Sequence, residues 1–138
     1  MKIKLIKGAQ LPKQGRPGDA GYDLYLLEDV VFKRGVTVLD TGICIELPKN
    51  TAGLLAMRSS ICKTGLIIQQ PLIDENYRGE LHILIENPHL FKKFKFKKGD
   101  RICSLYVFPV VHEKLQVVNY LSDSNRGSNW SGSSGKWE

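Results

Sequence analysis

The side chains best suited to chemistry lie together in Leu72-Ile73-Asp74-Glu75-Asn76-Tyr77-Arg78-Gly79-Glu80. A carboxylate can serve as a general base, a phenol ring can stack on a flat or puckered ligand, and a glycine lets another backbone approach closely. The flanking residues supply the scaffold. Gly65-Leu66-Ile67-Ile68 reads as a short buried strand, and Glu80-Leu81-His82-Ile83-Leu84-Ile85 alternates polar and apolar like a half-buried one. The stretch is therefore predicted to be a hairpin tip. Taken alone, a polar hairpin tip is usually no more than that.

Three other places carry chemistry-capable residues. Arg58-Ser59-Ser60-Ile61-Cys62-Lys63-Thr64-Gly65 is the one stretch that invites a helix, with a serine at its N-cap and Gly65 at its stop. Two hydroxyls, an arginine and free N–H groups there suit phosphate, and ordinary serine capping is the competing reading. Asp23 sits inside the apolar strand Ala20 to Leu26. Arg126-Gly127-Ser128-Asn129-Trp130-Ser131-Gly132-Ser133-Ser134-Gly135-Lys136 combines glycines, hydroxyls and cations, as a phosphate-cradling loop requires. Ser122 to Glu138 has no apolar periodicity, which predicts a flexible arm, although its two tryptophans are unusual for a disordered tail.

The elements that must position these groups are short strands. Expected strands cover residues 2–7, 20–26, 30–32, 36–47, 52–57, 102–111 and 115–121, with a bulge at Thr41-Gly42 and turns at Lys33-Arg34-Gly35, Pro48-Lys49-Asn50 and Gly99-Asp100-Arg101. Residues 10–19, with two prolines and two glycines, form a loop. Strands at this spacing indicate an all-β jelly roll or barrel with one short helix. The chain has 138 residues, enough for one core domain, expected over 1–121, with the arm over 122–138.

The formal net charge is +6, which favours phosphate-bearing partners. Five of the positive charges fall in Phe91 to Lys98, where the alternation predicts an edge strand with lysines on its wet face rather than a nucleic-acid patch. Cys44, Cys62 and Cys103 are odd in number and lack metal-site spacing, so they are expected to be small buried hydrophobes in a reducing compartment. No run is long enough to span a bilayer, and the alternating Met1 to Ile6 is no signal peptide, so a cytoplasmic protein is expected.

In this order the motifs resemble those of the trimeric all-β deoxyuridine triphosphatases (dUTPases). Ala20-Gly21-Tyr22-Asp23-Leu24, Arg58-Ser59-Ser60, Leu72 to Glu80, Gly99-Asp100-Arg101-Ile102 and Arg126-Gly127 with Gly132 to Gly135 are similar to that family's five motifs. The resemblance implies a distorted jelly roll, Mg²⁺-dependent hydrolysis of dUTP to dUMP and pyrophosphate, and a homotrimer with shared sites. It implies that Asp74 activates the attacking water and that Tyr77 packs on the deoxyribose. Arg58, Ser59 and Ser60 would bind phosphate, and Asp23 would reach Mg²⁺ through water. Arg126, Gly132, Ser133 and Ser134 would close over the phosphates from a neighbouring subunit.

Four positions depart from the family pattern. Pro71 stands where a glycine is usual, and Ile68, Gln69 and Gln70 occupy the region of the asparagine that reads uracil. A glutamine amide both donates and accepts, so Gln69 or Gln70 is the candidate reader. Ser104 replaces a phosphate-reaching glutamine, and Ser131 replaces the aromatic that caps uracil, with Trp130 expected to take over. Two alternatives stay open from sequence: a dCTP deaminase built on the same core, and a catalytically weak relative that binds or regulates.

Overall fold

The structure, a computed structural model, describes residues 1–69, 72–125 and 127–128. Among these are ten strands and one short helix: β1 (Lys2–Leu5), β2 (Gly21–Tyr25), β3 (Val30–Phe32), β4 (Gly35–Glu46), β5 (Thr51–Met57), α1 (Ser59–Cys62), β6 (Ile67–Gln69), β7 (Leu72–Ile73), β8 (Glu80–Asn87), β9 (Phe94–Phe96) and β10 (Arg101–Pro109).

Two four-stranded sheets, β1-β4-β8-β6 and β2-β10-β5-β7, enclose the core, and β3-β9 forms a two-stranded ribbon. All pairings between these strands are antiparallel. Each sheet turns one face inward, so the strands alternate. In β8, Leu81, Ile83 and Ile85 are buried while His82 is exposed. Leu24, Phe32, Ile43, Leu55, Ile73, Ile102 and Leu105 fill the space between the sheets. The fold is the expected all-β jelly roll.

The expected bulge is present. The β4–β8 register shifts between Asp40 and Cys44, and Gly42 inside that shift has φ +68°. Lys95 faces solvent between the half-buried Phe94 and Phe96, as the alternation of that run predicts.

Several expectations fail. The segment before Asp74 is not one buried strand. Leu66 is buried, but β6 is partly exposed, and it pairs with β8 while β7 crosses to pair with β5 in the other sheet. The motif is thus a wide crossing loop rather than a simple hairpin tip. Apolarity alone does not report which sheet a two-residue strand joins. The helix cap is Arg58, not a serine, and no side chain caps α1. Its backbone carbonyl accepts from Ile61 N at 2.8 Å and Cys62 N at 3.0 Å. Of the cysteines only Cys103 is buried, and burial pushes its thiol up to about 12; Cys44 is half-buried and Cys62 exposed.

The strand expected at Leu115 to Leu121 does not form. Leu115 is 95% exposed and Val117 100% exposed, with no sheet edge beside them. The alternation is real, but no strand among the described residues pairs with it.

Candidate active site

Asp74 directly follows β7, which the register Gly53↔Ile73 and Leu54↔Leu72 pins to β5. The loop is then closed by backbone and side-chain bonds. Tyr77 N donates to the Asp74 carbonyl at 3.1 Å, and Arg78 Nη1 donates to the Glu75 and Tyr77 carbonyls at 2.6 and 2.9 Å. Glu75 Oε2 accepts from Asn50 N at 2.7 Å, which ties the loop to the β4–β5 turn. The Asp74 carboxylate itself is exposed. A base fixed by its backbone with its oxygens free suits the handling of a water.

Tyr77 Oη donates to the Glu80 carbonyl at 2.8 Å, so the ring folds back over its own loop. Gly79 makes this approach feasible: a Cβ there would lie 2.5 Å from Tyr77 Oη and 2.7 Å from Cζ. The expected approach of another backbone at Gly79 is not what the structure shows: the approaching group is the Tyr77 side chain. Asp74 and Tyr77 line a cavity of about 240 Å³ with Leu72, Leu81, His82 and Leu84. Its mostly apolar wall with one carboxylate matches the composition of a small-ligand pocket.

A second cluster surrounds Asp23. Its side chain is 8% exposed; it accepts hydrogen bonds from Ser104 Oγ at 2.7 Å and Arg101 Nη1 at 3.0 Å, and it forms an ion pair with Arg58 Nε at 3.3 Å. The register Ser104↔Asp23 across β10 and β2 sets the first, and the start of α1 after β5 sets the last. Two guanidiniums compensate this buried carboxylate. Asp23 in turn fixes Arg58, whose Nη1 donates to the Arg101 carbonyl at 3.4 Å. Asp23, Arg58, Ser59, Ser104 and Tyr106 line a cavity of about 250 Å³, and Arg58 also borders one of about 440 Å³ with Arg101 and Phe96. Ser59 and Ser60 are exposed at the start of α1.

Among the described residues the two clusters do not meet, and no such residue lines both the Asp74 cavity and either Arg58 cavity. Ile73 pairs with Gly53, whereas Arg58 lies beyond the far end of β5. At about 3.3 Å per residue the five positions from Gly53 to Arg58 put the separation along the strand at roughly 17 Å.

A family model described as dUTPase matches residues 7–135. The chain belongs to the dUTPase family. It is 40% identical to the deoxyuridine 5'-triphosphate nucleotidohydrolase of Clostridium tetani, with 99% of this chain and 97% of the relative covered. The protein of that name from Paramecium bursaria Chlorella virus 1 is 39% identical over 96% of this chain and 94% of its own length. Among solved structures, the Staphylococcus bacteriophage 80alpha dUTPase with dUpNHpp superposes with a TM-score of 0.90 at 30% identity, covering 98% of each chain.

The structure brings Asp74 and Tyr77 to one cavity and Asp23, Arg58 and Ser59 to another. Gln69 is turned elsewhere: its Nε2 donates to Glu86 Oε2 at 2.6 Å. Gln70, Arg126, Trp130, Gly132, Ser133 and Ser134 lie outside the described residues. Sequence reasoning assigned no role to Arg101 or Tyr106 and did not anticipate the Ser104–Asp23 bond. The available signal was Ser104 and Tyr106 at alternate positions of an otherwise apolar strand.

Proposed function

We propose that this dUTPase cleaves dUTP to dUMP and pyrophosphate. Asp74 takes a proton from a water whose oxygen bonds to the α-phosphorus. The bond from that phosphorus to the bridging oxygen breaks, and pyrophosphate leaves with the electron pair. Tyr77, held by Glu80, forms a rigid wall for the deoxyribose and leaves no room for a 2′-hydroxyl. Arg58 and Ser59, steadied by Asp23, bind phosphate oxygens. The observation that carries the reading is the exposed Asp74 carboxylate beside the tethered Tyr77 ring.

Mg²⁺ enters as the ion that spreads the charge of the triphosphate. Asp23 already accepts two hydrogen bonds and pairs with the Arg58 guanidinium. A carboxylate so engaged beside two cations would meet the ion through one of its waters rather than by direct ligation.

The assembly is a homotrimer with shared sites. Supporting this are the separation of Asp74 from Arg58 and the exposed apolar run from Leu115 to Leu121. Arg126, Trp130 and Gly132 to Gly135 enter through their sequence pattern alone, as groups closing over the nucleotide.

Pyrophosphate release from dUTP and from dCTP tests the reading. Release from dUTP alone is expected. Release of ammonia from dCTP would make the chain a deaminase, and analogue binding without turnover would make it a binding protein.

A further inference from the structure

We infer that Tyr106 is a substrate-contacting residue whose phenolic O–H donates to an oxygen of the nucleotide's β- or γ-phosphate, alongside Arg58 and Ser59. The inference rests on the dUTPase reading of this site and deepens it.

The register Tyr106↔Gly21 and Ser104↔Asp23 places four residues on one face of the β2–β10 pair. Ser104 is buried on this face and spends its hydroxyl on Asp23. Tyr106, two positions on, lays its ring across Gly21: a Cβ at Gly21 would lie 2.8 Å from Cζ, the carbon that carries the hydroxyl, and 3.1 Å from Ser104 Cβ. The ring lines the same cavity of about 250 Å³ as Asp19, Asp23, Arg58, Ser59 and Ser104.

Covering Gly21 would need only a phenylalanine. The tyrosine adds a hydroxyl, half-buried and without a hydrogen-bond partner among the described residues. Tyrosine hydroxyls at partly buried positions usually find a partner. The cavity offers one cation, Arg58, and the exposed Ser59 hydroxyl beside the already engaged Asp23; with the triphosphate bound at Arg58 and Ser59, as the dUTPase reading has it, the missing partner of Tyr106 is a phosphate oxygen. Ser104, too short and already engaged, leaves the donor position at this wall to Tyr106. An O–H donated to a charged oxygen is among the stronger hydrogen bonds.

The test is Tyr106→Phe, which keeps the ring over Gly21. Steady-state hydrolysis of dUTP, and binding of dUpNHpp and dUMP by calorimetry, are measured beside the melting temperature. The proposal expects the KM for dUTP and the Kd for dUpNHpp each to rise about tenfold, with kcat changed less, dUMP binding unchanged and an unaltered melting temperature. Values within about twofold of wild type for dUTP and dUpNHpp would overturn it. Equal weakening of dUMP and dUpNHpp would also overturn it, because the contact would then lie on the nucleoside or α-phosphate that the two share. A wild-type protein that neither binds dUpNHpp nor releases pyrophosphate would instead overturn the dUTPase reading on which the proposal rests.

Discussion

The Tyr77 hydroxyl donates to the Glu80 carbonyl at 2.8 Å, passing over a residue with no side chain to obstruct it. Gly79→Ala would put a methyl 2.5 Å from that oxygen, so the ring must swing away. Discrimination between dUTP and UTP should then fall by about tenfold or more, while the core, which Gly79 does not touch, keeps its melting temperature. Competition kinetics between the two nucleotides measure this. An unchanged ratio would assign sugar selection to another wall.

Asp74→Asn preserves shape and removes the base. General-base catalysis contributes about 10²–10⁴ in rate, so kcat should fall by that much while dUpNHpp still binds. Pyrophosphate release under saturating dUTP is the measurement, and near-normal turnover would move the base elsewhere.

Asp23 is the hinge between two arginines. Asp23→Asn turns one acceptor oxygen into a donor facing a guanidinium. Both arginines retain partial access to water, so the loss of stability should be about 1–3 kcal/mol, read from the urea midpoint. Arg58 would also lose its orientation, and the KM for dUTP should rise. A variant with wild-type KM would show that Arg58 is held by its backbone alone.

How far the sequence foretold this molecule differs from element to element. The strands, the Thr41-Gly42 bulge and the Asp74–Tyr77 pairing follow from local alternation and turn chemistry, which sequence carries. The jump of Leu72-Ile73 to the second sheet does not, because a two-residue strand has no period to read. The cap at Arg58 was hidden by Ser59 and Ser60, both good capping residues that here lie one step inside the helix. Leu115 to Leu121 alternates like a strand, yet a strand exists only with a partner edge. The bonds from Ser104 and Arg101 to Asp23 span about eighty residues, a relation that only the register of β2 against β10 creates.

A charge network beside the Asp74 loop predicts the response to pH. Lys7 Nζ bonds Asp40 Oδ2 at 2.5 Å and Glu80 Oε2 at 2.8 Å, and His82 Nδ1 lies 3.0 Å from Asp40 Oδ1. The Lys7 hydrogen bond is the main cause that holds Asp40 below 3.8 and Glu80 below 4.5, with Gly42 N adding to the latter. Bonding to Asp40 and then Glu80 raises Lys7 from 10.5 to about 12. The carboxylates' contribution is present above their ordinary values and is lost as pH falls through the depressed ones. The lysine's contribution is present below 10.5 and is lost as pH rises through about 12. Denaturant midpoints should therefore fall at both extremes, and Lys7→Met should flatten both limbs. Identical pH profiles for the two proteins would show the network to be energetically silent.

The last prediction follows from the distance between Asp74 and Arg58. If each site draws Asp74 from one subunit and Arg58 from another, two inactive variants can complement. Asp74→Asn chains contribute an intact Arg58, and Arg58→Ala chains an intact Asp74. In trimers assembled from an equal mixture, about a quarter of the sites combine two intact halves. Co-refolding the variants should thus restore activity to roughly that fraction, whereas each variant refolded alone stays inactive. The size of the assembly, followed by light scattering, must remain trimeric in all three samples. A site contained within one chain yields no restoration at any mixing ratio, since every chain in the mixture carries one broken half. Recovery that peaks at equal mixing and vanishes toward either pure variant would establish the shared site.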